Sequence, residues 1–220
     1  METTIGVKLR DNHTKTWLAF IVAALLLNCD FILLQRWTPG YHWYRYLIAG
    51  SGIIFMLGLC NWDLHSLGFV LRPKQGYIYW IKAGLVIGVS ILLFSLLVFG
   101  MSQVIGQPIQ IPKTQPNIAK TFIFTLCVQA PLVEEILYRM VLCIPFVSLA
   151  GNWFTILVSG FIFAILHFIY GNPAPDNFIA GFFLSWAYLK SGSLIIPIIF
   201  HSIGNAFTII ALIGLSYWIN

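Results

Sequence analysis

Long apolar runs alternate with short polar breaks along this chain, and the runs predict an all-α polytopic transmembrane bundle of about seven spans. The expected helices cover residues 17–34, 44–60, 77–100, a fourth opening near Asn117, then 153–170, 177–190 and 194–218. The breaks differ in kind. Residues 1–16 are a polar N-terminal tail, and 36–43 are aromatic-rich, suited to the headgroup belt. Residues 61–76 are polar; their stretch 67–74 ends in Arg72, Pro73 and Lys74 and is expected to lie along the interface. Residues 101–116 hold three prolines and four glutamines and read as an extended loop. The apolar run that opens near Asn117 continues to Ala150, so the fourth helix is expected to be long or broken at Pro145. Three regions follow: the tail 1–16, N-terminal helices and loops over 17–116, and core helices over 117–220.

Composition supports the membrane reading. The chain is 59% apolar and 9% charged with mean hydropathy +0.87, whereas soluble domains are about 25% charged. The net charge of +5 therefore serves topology and anionic headgroups of the lipid bilayer, with no nucleic-acid partner. Leaving out Arg139, lysines and arginines divide seven to four in favour of the side holding the N-terminus, with Arg36 and Arg45 counted on the other side. Asp30, near the end of the first helix, is expected to reach the interface. Cys29, Cys60, Cys127 and Cys143 lie in or beside apolar segments without a Cys-x-x-Cys pair and read as small packing residues. No cleavable signal is evident, so the first helix is expected to be retained.

Candidate chemistry concentrates in Pro131-Leu132-Val133-Glu134-Glu135-Ile136-Leu137-Tyr138-Arg139, which holds two of the chain's three glutamates. Each charge at bilayer depth costs about 2.5–3.5 kcal/mol on insertion scales, so such a cluster is a functional-site candidate. Glu135 and Arg139 share a helix face and can pair. Glu134 is rotated about 100° away, without a local partner, and can act as general base or acid. Pro131 frees a carbonyl one turn back and is expected to bend or open the helix there. His167, one turn after Phe163, and His201, one turn before Asn205, lie in apolar helices. Either imidazole alone reads as a hydrogen-bonded packing residue. Together with the acidic pair, they point to Glu134, His167, His201 and Asn205 lining one cavity.

Two mechanisms suit those groups. In one, Glu134, helped by His167, deprotonates a water that attacks a peptide carbonyl, while His201 and Asn205 stabilise the oxyanion. In the other, His167, His201 and Glu134 hold Zn2+ with an open water position. Asparagine is a poor zinc ligand and His-Glu-x-x-His is absent, which favours the metal-free version. A serine mechanism through Ser159 or Ser202 lacks a Gly-x-Ser-x-Gly turn.

These residues carry a resemblance. Glu134-Glu135-x-x-x-Arg139, Phe163-x-x-x-His167 and His201-x-x-x-Asn205, in that order, resemble the three motifs of the CAAX prenyl endopeptidase type II and bacteriocin-processing (CPBP, or Abi) family of intramembrane proteases. The run Lys190-Ser191-Gly192-Ser193-Leu194, followed by Pro197, is similar to that family's lead into its third motif. The resemblance covers about residues 67–210. It implies an intramembrane endopeptidase with Glu134 as base, completed by His167, His201 and Asn205 and supported by Glu135, Arg139 and Phe163. It implies a peptide or protein substrate reached from the membrane, lipidated in CAAX-processing members, and a multi-pass protein of a bacterial plasma membrane. The family is widely labelled metalloprotease, with the glutamate mechanism as the competing view, so Zn2+ stays open. Two other classes compete: a non-catalytic bacteriocin self-immunity or peptide-binding protein on the same fold, and a proton-coupled transporter using the same groups as a relay.

Overall fold

A computed structural model describes residues 4–36, 43–106, 123–170 and 176–219, and the side chains of these except 35–36 and 212–219. The described residues form eight α-helices: α1 Val7–Arg10, α2 His13–Arg36, α3 Tyr44–Leu59, α4 Gly76–Val104, α5 Ala130–Glu135, α6 Cys143–Ile169, α7 Asp176–Ser191 and α8 Ile195–Ile219. The all-α expectation holds. Three stretches, His13–Leu34, Gly76–Val104 and Cys143–Ile169, are long and apolar enough to cross a membrane, and Tyr44–Leu59 and Ile195–Ala211 are shorter apolar helices. Among the described residues three such stretches stand where about seven spans are expected, and one of the expected runs is interrupted by backbone geometry that hydropathy does not register.

The fourth expected helix shows this most clearly. It is not one rod: α5 is a short α-segment between two π-helical turns, Thr125–Gln129 and Ile136–Val141. Wide turns of this kind occur mostly as single turns inside α-helices, frequently at functional sites. The break expected at Pro145 is absent. Pro145 sits in the first turn of α6, where a missing N–H costs nothing. The kink falls instead at Gly151, whose φ of 79° and ψ of 179° suit a residue without Cβ. Helix α6 thus joins the end of one expected span to the whole of the next.

The core surrounds the π-turn Ile136–Val141, whose six side chains are all buried. Met56, Cys60, Leu67, Ile144, Val147, Tyr188 and Leu189 pack around it. The polar tail is part of this core: Ile5 and Leu9 are buried, and Gly6 N–H donates to Ser66 O at 3.0 Å. Residues 67–74 do not lie free along an interface. Leu67 is buried, Leu194 N–H donates to Gly68 O at 2.8 Å, and Lys74 N–H donates to Ser191 O at 2.8 Å, so the strip is pinned to the α7–α8 turn. Helices α6 and α7 pack through small residues, as membrane helices do: a Cβ on Gly181 would stand 2.7 Å from Gly160 O. The outer face of α4 carries Ile78, Leu85, Val86, Leu93 and Leu97 exposed, a surface suited to acyl chains.

Candidate active site

Glu134, next to last in the short helix α5, projects between three other helices. Its Oε2 lies 3.8 Å from His167 Nε2 on α6 and 3.9 Å from His201 Nε2 on α8, and its Oε1 lies 3.7 Å from Arg45 Nη1 on α3. The expectation of a carboxylate without a local partner is correct for its own helix only, since the partners come from elsewhere in the bundle. The structure therefore brings Glu134, His167 and His201 together. Glu134 and His167 remain 13% and 18% exposed, so the cluster is not sealed.

The partners of the other ring nitrogens fix the imidazole tautomers. His167 Nδ1 lies 2.9 Å from Phe163 O, which can only accept. His201 Nδ1 lies 2.8 Å from Glu135 Oε1, a carboxylate oxygen. Each Nδ1 is therefore the donor, and each neutral ring turns its Nε2 lone pair toward Glu134. Glu134 Oε2 is buried without a hydrogen-bond partner. Three acceptors facing one another repel unless a donor or a cation lies among them. Gaps of 3.8–3.9 Å allow a water to bridge at about 2.8 Å from both sides.

The donor types, two imidazoles and a carboxylate, are those of a catalytic zinc site. The spacing fits less well. Ligands about 2.1 Å from a tetrahedral metal stand about 3.4 Å apart, nearer than either imidazole nitrogen stands to Glu134 Oε2. Among the described residues no group of three His, Cys, Asp or Glu side chains is arranged to hold a metal ion. No step below is assigned to one.

The supporting residues each have a definite task. Glu135, fully buried, pairs with Arg139 Nε at 3.0 Å through Oε2 while holding His201 through Oε1. The Arg139 guanidinium lies 4.7 Å over the Phe163 ring, a cation–π contact, and its Nη1 donates to Ser159 Oγ at 3.2 Å. Phe163 also meets the His167 ring at 4.2 Å and the His201 ring at 5.7 Å, so one aromatic plate orients both imidazoles. Ser159 is fully buried, donates to Tyr138 O at 3.0 Å and accepts from Arg139, the setting of an anchor and not of a nucleophile.

Asn205 is placed differently from the other candidates. Its Nδ2 donates to Leu126 O at 2.6 Å. In the π-turn that precedes α5, Ala130 N–H bonds back five residues to Thr125 O. The next bond of that pattern would run from residue 131 to Leu126 O, but Pro131 has no N–H. Asn205 supplies the missing donor, ties α8 to the π-turn before α5, and keeps a second amide hydrogen.

Two site residues were not legible as such in the sequence. Asp30 does not reach an interface, and Arg45 is not a loop charge. Both are buried, with Arg45 Nε and Nη2 donating to Asp30 Oδ1 and Oδ2 at 2.7 and 2.8 Å. The signal available was a charge of each sign in consecutive apolar helices, and intramembrane charges of that kind seek one another.

Comparison with known proteins bears on the same segment. Residues 116–207 match the family model described as Type II CAAX prenyl endopeptidase Rce1-like. This stretch is Rce1-like. The Rce1-like segment contains Glu134, Glu135, Arg139, Phe163, His167, His201 and Asn205, and excludes Asp30 and Arg45. A curated Escherichia coli protein named "Uncharacterized 24.3 kDa protein" is 24% identical over 168 residues, covering 71% of this chain and 76% of its own. No solved structure matches. The match carries the resemblance drawn from the three motifs and is silent on bacteriocin immunity and on metal dependence.

Proposed function

We propose that this chain is an intramembrane endopeptidase in which Glu134 activates water for attack on a peptide bond. The observation that carries the proposal is the convergence of Glu134 Oε2 and two imidazole Nε2 lone pairs on one small gap, inside a segment that matches endopeptidases.

A water in that gap gives one proton to Glu134 while its oxygen attacks the carbonyl carbon of the substrate. The developing oxyanion is met by His201, held upright by Glu135 and acting in its imidazolium form, with a solvent proton on Nε2, and Asn205, one turn further along α8, is the proposed second donor. His167 completes the water's hydrogen bonding from the opposite side. Collapse of the tetrahedral intermediate breaks the C–N bond, and the proton held by Glu134 passes to the departing amine. Burial among apolar helices strengthens each of these contacts by lowering the local dielectric.

The setting and the family description support a peptide substrate reached from the bilayer, and the proposed first choice is a prenylated C-terminal Cys-a-a-X segment. The proposed home is a bacterial plasma membrane. The test uses the full chain in lipid nanodiscs with a fluorogenic farnesylated Cys-a-a-X peptide. Cleavage at a single bond after the modified cysteine is the expected result. No cleavage of prenylated or unmodified peptides, together with host protection that persists in Glu134→Ala cells, would replace the hydrolase with a peptide-binding immunity protein. Uptake driven by a pH gradient would replace it with a transporter.

A further inference from the structure

The corner where the start of α4 meets the end of α7 carries positive charge that the proposed hydrolysis does not use. Lys190, next to last in α7, is half-buried. Its Nζ donates to Tyr79 Oη at 2.6 Å and lies 4.8 Å over the Trp186 ring. Trp186 is itself set edge-on against buried Trp80 at 5.3 Å, so the ammonium is held in a fixed place. Among the described residues no salt bridge joins Lys190 to a carboxylate. An ammonium has three N–H donors, and the Tyr79 hydroxyl takes one of them.

Two further lysines stand at this corner. The Lys74 backbone is fixed from both sides: its N–H donates to Ser191 O at 2.8 Å, and its carbonyl accepts from Trp80 Nε1 at 2.8 Å. Its side-chain stem passes over Gly192, where an added Cβ would stand 3.8 Å from Lys74 Cε. Lys82 is exposed and lies three residues after Tyr79, on the same side of α4. The depth is that of lipid headgroups. The membrane-length stretch of α4 opens at Gly76, and Tyr77, Tyr79, Trp80 and Trp186 supply the aromatic residues that collect at that level. Ile78, Ile81 and Leu85 are exposed at three- and four-residue spacing, so one apolar stripe runs down α4 from the lysines.

Positive charge at the headgroup level above an apolar stripe complements an anionic phospholipid. Basic pockets between membrane helices hold such headgroups. A zwitterionic lipid brings its own cation, which three lysines repel. We infer that Lys190, Lys74 and Lys82 bind the phosphate of one anionic phospholipid of the phosphatidylglycerol class, with its acyl chains along the Ile78–Leu85 stripe. Lys190 is the fixed contact, and Lys74 and Lys82 close on the headgroup with flexible stems. In that place the lipid ties α4 to the end of α7. The inference requires a membrane protein and is independent of the hydrolase reading.

The experiment is native mass spectrometry of the full chain released from detergent, counting bound lipid as phosphatidylglycerol, phosphatidylcholine or inorganic phosphate is titrated in. The wild type is expected to fill with one phosphatidylglycerol well before either of the others binds. A lysine near an anionic headgroup contributes about fivefold in affinity. Lys190→Gln and Lys74→Gln are therefore each expected to weaken phosphatidylglycerol binding by about that factor or more, while Lys190→Arg retains it. Lys74 is exposed and holds its neighbours through its backbone, so Lys74→Gln keeps the test open if Lys190→Gln fails to fold. Arg10→Gln removes the same charge from α1 and is expected to leave binding unchanged. Equal affinity of the wild type for phosphatidylglycerol and phosphatidylcholine, or unaltered binding in Lys74→Gln, overturns the inference. Equal weakening by Arg10→Gln also overturns it, because the attraction is then diffuse surface charge. Displacement of the lipid by inorganic phosphate at equal concentration overturns the lipid assignment in favour of a free-anion site.

Discussion

His201 Nδ1 and Glu135 Oε1 are joined at 2.8 Å, a buried hydrogen bond between residues 66 positions apart in the chain. The same carboxylate holds Arg139, so a single side chain anchors one imidazole and compensates one guanidinium. Glu135 thus anchors the cluster in which Glu134 is the proposed base.

Replacing Glu135 should therefore damage folding as well as activity. Glu135→Gln leaves the Arg139 charge buried without its carboxylate, and removing one partner of such a pair costs about 3–5 kcal/mol. Thermal unfolding in detergent is expected to show a large loss of stability. Glu134→Gln, measured beside it, is expected to keep most of its stability.

Ser159 discriminates between mechanisms. Ser159→Ala removes the acceptor of Arg139 Nη1 and the donor to Tyr138 O, with an expected cost of about 1–3 kcal/mol in stability. Per folded molecule, peptide cleavage is expected to stay within a few-fold of wild type. Abolished turnover in stably folded Ser159→Ala would instead mark this hydroxyl as a nucleophile.

Most of the helices and the cluster of Glu134, His167 and His201 were legible in the sequence because long apolar runs and rare charges within them are strong, local signals. Glu135 and Arg139 pair as their four-residue spacing predicts. What was not legible depends on backbone detail or on distant parts of the chain. The two π-turns around α5 have no signature in hydrophobic periodicity. Gly151, rather than Pro145, carries the kink because a proline in a first helical turn disturbs nothing. Asn205 shares a helix face with His201, but its bond to Leu126 O follows from a π-turn that only the structure reveals. Arg45 was read as a topological charge because a residue beside a connection looks solvated until the opposing helix is placed.

The contact of α6 with α7 is set by glycine. Gly181→Ala would press a methyl group against Gly160 O, a backbone atom that cannot swing aside. A loss of about 1–3 kcal/mol is expected from such overpacking. His167 lies on α6, so turnover should fall together with stability. Thermal unfolding and peptide cleavage on the same preparation check both.

Chelation addresses the metal question. The spacing of Glu134 from both imidazoles suits a water better than a tetrahedral zinc ion. Prolonged dialysis against strong chelators is expected to leave cleavage unchanged. Stoichiometric zinc in the purified protein, lost in parallel with activity and restored with it, would assign the water's activation to the metal.

The most direct test is the single-turnover rate of farnesylated-peptide cleavage by nanodisc-embedded wild type and Glu134→Gln, each checked for folding. General base catalysis contributes about 10²–10⁴-fold, so the account predicts a loss of at least about 100-fold in Glu134→Gln at every pH. Cleavage by Glu134→Gln at the wild-type rate would contradict it.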